Sequence, residues 1–453
     1  MELQFIFTQD KAKYIVIYEQ LKEKIIQQVV SPNEKLPSKR KLAEQLNVSI
    51  HTVKEAYEQL ASEGFIYSAE RAGYFVSPYE MEWQQPVSIQ TRKTIEEYKV
   101  VYNFQSGQVD EQVFPLREWL KIYKKQLVSN YIPNADWQGE YHLREQIAAY
   151  VKKSRGVSCN VEQIYIYSGT QHQLQELCRF SGPAQTAIEE PGFKRAAAVF
   201  QQSRLPVEYV VVDEKGAAIP RSDCRMYYVT PAHQFPLGMV MPIDRKLDLV
   251  KWAEESGAYI IEDDYDAEFR YKGTPIPPLA QIDQLQRVIY FGTFSKTLIP
   301  SLRMSYMILP MDLVQPFNQF NAAQKSTVSR MEQRVVAEFM KNGLYTKHIA
   351  KMRTLYRKKR EKLLTCIQQM LGEEFEVIGD SAGLHIVLKL PEWLDEDQAI
   401  ELAAEAGITI DPISSSYQTM TVKRFTMIGY GAIPLEKMEE AVRLLASVWK
   451  ISR

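Results

Sequence analysis

Apolar positions near the start of the chain recur at helical spacing and then switch to alternation. Ile15, Tyr18, Leu21, Ile25 and Ile26 share one face of a helix expected over 12–29, which Ser31-Pro32-Asn33 ends. Leu42 and Leu46 predict a short second helix with Ser38 as its N-cap. Val53, Tyr57 and Leu60 predict a third over 50–63, capped by Ser49 and stopped by Gly64. Asn47-Val48 is the turn between them, so the pair reads as a helix-turn-helix. Residues 65–68 and 73–76 then read as strands flanking 69–72, a small hairpin or wing. From Pro78 to about Val101 no period persists, which marks a linker.

Beyond Tyr102, strand-like runs at 163–167, 207–212, 226–229, 259–263 and 288–291 alternate with helical stretches. That alternation predicts a mostly parallel α/β sheet, with its site beyond the carboxyl ends of the strands. After about Asn342, a long basic helix (347–362) and the alternating strand 383–390 predict a small C-terminal α+β subdomain. The basic residues of that helix read as a solvated face, and His385 as structural. The expected division is 1–78, a linker over 79–101, and 102–453 with its small subdomain at about 342–453.

Composition narrows this little. The chain has 453 residues, 45% hydrophobic and 25% charged, as expected of a soluble globular protein with two or three domains. A net charge of -1 gives no global attraction to nucleic acid or membrane. Cys159, Cys178, Cys224 and Cys366 lack metal-type spacing and suit a reducing compartment. Met1-Glu2-Leu3-Gln4 opens no signal peptide, and no apolar run approaches membrane-spanning length. A cytoplasmic location is therefore expected, on the nucleoid when the chain binds DNA.

The chemistry concentrates in two strand ends. Val288–Phe291 leads into Gly292-Thr293-Phe294-Ser295-Lys296, with Arg303 seven residues later. A lysine amine can form a Schiff base, while hydroxyls and an arginine hold phosphate. Upstream, Ile260-Ile261-Glu262-Asp263-Asp264-Tyr265 brings a carboxylate for a pyridine nitrogen and a phenol for a ring hydroxyl. Asp-Asp-Tyr, then Thr-Phe-Ser-Lys, then Arg resembles the core of fold-type I aminotransferases, whose cofactor is pyridoxal 5'-phosphate (PLP). The resemblance implies that Lys296 holds PLP, Asp263 meets its ring nitrogen and Tyr265 its ring oxygen. It adds Thr293, Ser295 and Arg303 as phosphate contacts. Ser168-Gly169-Thr170-Gln171 matches the first phosphate loop, and Phe193 the ring stacked on the pyridine. Arg195 and Arg424 are candidates for an effector carboxylate.

At the N-terminus, Leu-Pro-Ser-x-Arg-x-Leu-Ala, then Val-Ser-x-x-Thr-Val-x-x-Ala-Tyr-x-x-Leu and a glycine-bearing wing, resembles the GntR-type winged helix. Residues 1–80 hold ten Lys/Arg against eleven Asp/Glu, but Lys35, Lys39, Arg40 and Lys41 cluster where phosphate contacts would fall. The resemblance implies that Arg40, Ser49, His51, Thr52, Lys54 and, in the wing, Arg71 and Gly73 approach double-stranded DNA. Lys54 and Ile50 stand where that family often has arginine. One loop departs from the aminotransferases: Phe235 occupies the place of their Asn before Pro-x-Gly. Thr230-Pro231-Ala232-His233-Gln234-Phe235-Pro236 instead resembles MocR-type regulators, which fuse the two domains. That resemblance implies a head-to-tail homodimeric transcription factor sensing a small amine or amino acid by external aldimine formation. His233 would assist the ring oxygen or the effector. The alternative is a working aminotransferase with an accessory N-terminal domain.

Overall fold

The computed structural model describes residues 5, 7, 11–70, 72–78, 100–127, 136–221, 223–271, 277–284, 286–379 and 381–451. Arg71 and the expected linker up to residue 99 lie outside them. The chain forms two compact units, Met1–Glu96 and Glu97–Arg453.

In the first unit, α1 (Lys13–Ile26), α2 (Lys39–Leu46) and α3 (Ile50–Ser62) precede the antiparallel strands β1 (Ile66–Ala69) and β2 (Gly73–Val76). The caps lie where the sequence puts them. Ser38 accepts the Lys41 N–H and Ser49 accepts the Thr52 N–H, which satisfies helix-terminal donors that would otherwise be orphaned. Asn47, left-handed at φ 50°, turns α2 into α3. Ile17, Leu21, Leu42, Val53, Tyr57 and Leu60 close one core. The Tyr57 hydroxyl crosses that core to donate to the Pro37 carbonyl at 2.9 Å. Tyr57→Phe leaves that carbonyl unpaired, so the unit is expected to lose about 1 kcal/mol. Hydrogen exchange at the α2 and α3 amides under urea measures this loss.

The second unit is built on eight strands. In chain order they are β4 (Ile164–Tyr167), β5 (Thr186–Glu190), β6 (Val207–Asp213), β7 (Gly216–Ala217), β8 (Met226–Val229), β9 (Tyr259–Asp264), β10 (Val288–Thr293) and β11 (Ser305–Ile308). They are preceded by the short β3 (Tyr102–Asn103). Their spatial order is β4-β11-β10-β9-β8-β5-β6-β7. The run from β10 to β6 is parallel, while β11 is antiparallel to both its neighbours. Both faces of the sheet are buried, in separate apolar clusters. This is why β4, β8 and β9 read as continuous apolar runs and not as alternating ones.

A smaller lobe carries β12 (Glu376–Ile378), β13 (His385–Lys389), β14 (Ile408–Thr409), β15 (Asp411–Pro412) and β16 (Phe425–Gly429). Four of these form a sheet in the order β12-β13-β16-β15. β14 pairs instead with β3, and Tyr102, Phe104 and Val109 sit in this lobe's core. The lobe therefore includes the segment that opens the unit as well as its C-terminal part. The basic helix is longer than expected, Leu344–Met370, and its charges are not all solvated. Lys359 is fully buried, donating to Asp110 at 2.7 Å and to the Gly431 carbonyl at 2.8 Å.

Candidate functional site

The carboxyl ends of β4, β5, β8, β9 and β10 open onto one cavity of about 440 Å³ in the second unit. Lys296, Asp263 and Tyr265 line it, from loops or strand ends that the sheet brings together. Lys296 emerges after β10, and burial pushes its amine below the ordinary lysine value, with Asp266 opposing. A Cβ at Gly107 would fall 2.1 Å from the Lys296 Nζ, so a backbone strap over 104–108 lies directly on the amine. The strap is pinned where Asp411 accepts the Ser106 N–H at 2.6 Å.

Strand alternation separates the two aspartates of β9. Asp263 faces the cavity and accepts a short hydrogen bond from Tyr228 through Oδ2. Its other oxygen is buried with no partner, and burial pushes the carboxyl up to about 7. Asp264 faces the opposite side, where Arg155 meets it at 2.7 Å and Tyr290 donates to it. An orphaned carboxylate oxygen in a cavity fits a cationic ring nitrogen, which would pair it.

The third wall can hold phosphate. α4 (Thr170–Ser181) begins at the cavity with Thr170 and Gln171 in its first turn, where helix N–H groups have no intrahelical acceptor. Gly169, at φ 123°, lets Arg303 close in: a Cβ there would lie 2.5 Å from Nη2. Arg303 donates to the Ser168 carbonyl at 3.1 Å. Thr293 and Ser295 complete this side, with the Ser295 N–H donating to the Thr293 hydroxyl at 3.1 Å. Phe193 lines the cavity and packs edge-on to Phe235, ring centres 5.5 Å apart. Arg195 is exposed at the cavity wall.

Two expected residues lie elsewhere. Arg424 is about half exposed, 3.6 Å from Glu392, and does not line the cavity. It shares parity along the strand with Thr426 and Ile428, whereas Met427 faces the cavity. His233 is buried behind the wall, against Tyr265 and Asp266, and does not line the cavity. Sequence reasoning missed Tyr228, Asp266, Asp411 and Gly107, and His385 lines the cavity as well. Tyr228 was hidden inside a run that reads as purely apolar; the others depend on contacts distant in the chain.

On the first unit, Arg40, Ser49, His51, Lys54 and Gly73 are exposed and Thr52 is partly so. The Ser49 and Thr52 hydroxyls are 2.8 Å apart at the start of α3. His51 and Lys54 each face a carboxylate one turn on, Glu55 at 3.4 Å and Glu58 at 3.6 Å. Such exposed pairs are weak and can be exchanged for phosphate.

Comparison with known proteins agrees with this division. Residues 13–76 match the family described as bacterial regulatory proteins, gntR family. Residues 99–445 match aminotransferase class I and II. The HTH-type transcriptional regulator YdeL of Bacillus subtilis is 40% identical over 98% of both chains. The probable rhizopine catabolism regulatory protein MocR of Rhizobium meliloti is 27% identical, over 96% of this chain and 93% of its own. Among solved structures, the α-aminoadipate aminotransferase LysN of Thermus thermophilus, complexed with N-(5'-phosphopyridoxyl)-L-leucine, aligns with TM-score 0.70. It is 23% identical over 80% of this chain and 96% of its own.

Proposed function

The chain belongs to the class I and II aminotransferase family and carries a GntR-family regulatory domain at its N-terminus, and from this we propose that it is a MocR-type transcriptional regulator. We infer further that it binds PLP and answers to a small amine or amino acid. The observation that carries this reading is one chain joining a winged helix to a cavity lined by Lys296 and by Asp263, one of whose oxygens is unpaired.

Bound there, PLP supplies an aldehyde that a primary amine can hold covalently. Lys296 is the residue assigned to that aldehyde; its lowered basicity favours the neutral, nucleophilic amine. Asp263 holds a proton on the ring nitrogen, and Tyr265 donates to the ring oxygen. The α4 N-terminus, Ser295 and Arg303 would take the phosphate, while Phe193 would cover the ring. Arg195 is left as the cation for an effector carboxylate. An effector that displaces Lys296 changes DNA affinity only as far as it binds two conformations unequally. A head-to-tail homodimer would present two winged helices to two half-sites. The nearly complete lysine–aspartate set also suits a turning-over aminotransferase. Phe235, which offers the ring oxygen no amide, weighs toward sensing.

The test is the visible spectrum of the purified protein with PLP, titrated with amines and amino acids while operator binding is followed. A band that shifts and persists, with changed DNA affinity, supports a sensor. Repeated bleaching and recovery with a keto acid would mark an enzyme. Arg40→Ala is expected to weaken binding to every DNA sequence alike and to lower the slope of log K against log salt by about 1. An unchanged slope removes Arg40 from the phosphate contacts.

A further inference from the structure

Behind Tyr265 lies a buried polar group that the proposed chemistry does not yet use. His233 Nδ1 is 3.0 Å from the Tyr265 hydroxyl and 3.0 Å from Asp266 Oδ2. His233 and Asp266 are 1% and 2% exposed. One ring nitrogen has either a hydrogen or a lone pair to offer, so Tyr265 cannot donate to it while Asp266 accepts from it; both contacts are served only if the two oxygens share one N–H.

With Nδ1 bare, Tyr265 could donate to it, but the Asp266 carboxylate would then face it lone pair to lone pair. Nε2 would carry the hydrogen instead, and Nε2 is buried with no partner. A buried donor without an acceptor is costly. With the hydrogen on Nδ1, Asp266 accepts it, Nε2 keeps only a lone pair, and the Tyr265 oxygen also lies against the same N–H. The phenol hydrogen is then turned away from the imidazole, and Tyr265 lines the cavity.

The backbone is shaped around this pair. A Cβ at Gly383 would fall 2.0 Å from His233 Cε1 and 2.6 Å from Asp266 Oδ2. The Gly383 carbonyl accepts from both Tyr271, at 2.9 Å, and Tyr430, at 2.6 Å, which fixes the loop against the pair. His385 packs on His233 at 4.9 Å between ring centres, its Nε2 3.0 Å from the Pro236 carbonyl. Burial pushes the His385 imidazole down to about 3, so it adds no competing cation. Phe235 contributes no polar atom to this side of the cavity.

We propose that Asp266 and His233 are positioning residues that orient the Tyr265 hydroxyl as a hydrogen-bond donor into the cavity, toward the ring oxygen of the bound cofactor. The inference rests on the PLP reading above. Asp266 fixes the tautomer of His233, and His233 in turn fixes the direction of the phenol hydrogen. Tyr265 then does alone what a side-chain amide at position 235 would otherwise share.

The experiment is a double-mutant cycle on the full chain with PLP, using His233→Leu, Tyr265→Phe and the pair. The readouts are the PLP dissociation constant and the pH midpoint of the visible band of the lysine-bound cofactor. His233→Leu is expected to weaken PLP binding about tenfold and to move the midpoint. In the Tyr265→Phe background it should change neither, and His233→Asn, which keeps an N–H donor, should restore part of both. Equal effects of His233→Leu in both backgrounds would overturn the proposal. So would an unmoved midpoint in a variant whose thermal unfolding is unchanged. Because His233, Asp266 and His385 could jointly ligate a cation, stoichiometric zinc binding that His233→Leu abolishes would also overturn it. If the wild-type chain binds no PLP, it is the cofactor reading that fails, a separate result from independence of His233 and Tyr265.

Discussion

Lys296→Ala is expected to abolish the visible band of the lysine-bound cofactor and any response of that band to amines. Among the described residues, the other lysine that lines the cavity is Lys194, which is exposed, with its amine 3.3 Å from Ser415. The remaining contacts, Asp263 and the phosphate side, still hold the cofactor without a covalent bond. Equilibrium dialysis should therefore find bound PLP while absorbance shows none in covalent form. DNA binding without effector should stay as in the wild type, because the winged-helix unit has its own core. A normal band in this variant would remove Lys296 from the chemistry.

The second large effect is a contrast between neighbours. Asp263→Ala takes away the partner proposed for the ring nitrogen, and a charge-assisted hydrogen bond of this kind corresponds to about 10- to 100-fold in cofactor affinity. Asp264→Ala acts on the other face of β9. It strands Arg155, whose side chain is 11% exposed, and removes the acceptor of Tyr290. Breaking one partner of a buried ion pair costs about 3–5 kcal/mol. Thermal unfolding should fall sharply for Asp264→Ala, whereas titration with PLP should separate Asp263→Ala from the wild type. The same loss of PLP affinity from both variants, at equal stability, would mean that β9 does not sort its two carboxylates by face.

What was legible in the sequence is what local chemistry decides. The caps Ser38 and Ser49 lie within three residues of the N–H groups they accept. Asp263 and Lys296 each end an apolar run, and a parallel sheet gathers such ends on one edge. Gly169-Thr170-Gln171 has the small residue that a helix-start anion site needs. Arg424, expected from its resemblance to the family's carboxylate-binding arginine, lies off the cavity because it shares parity with Thr426 and Ile428; Met427 has the parity that faces the cavity. Lys359 looked solvated because its helix is basic throughout, while its acceptors, Asp110 and Gly431, are remote in sequence. His233 reads as a residue for the ring oxygen or the effector, and its burial against Gly383, contributed by the smaller lobe, depends on a contact remote in sequence.

The strap across Lys296 has one more property. Followed toward the N-terminus, the backbone that covers the amine at Gly107 runs into β3, which pairs with β14 of the smaller lobe. Lys296 follows a strand of the large sheet, yet it is roofed by chain anchored in the smaller lobe. How closely that roof sits on the amine depends on Asp411, itself on β15 of the smaller lobe, which accepts the Ser106 N–H.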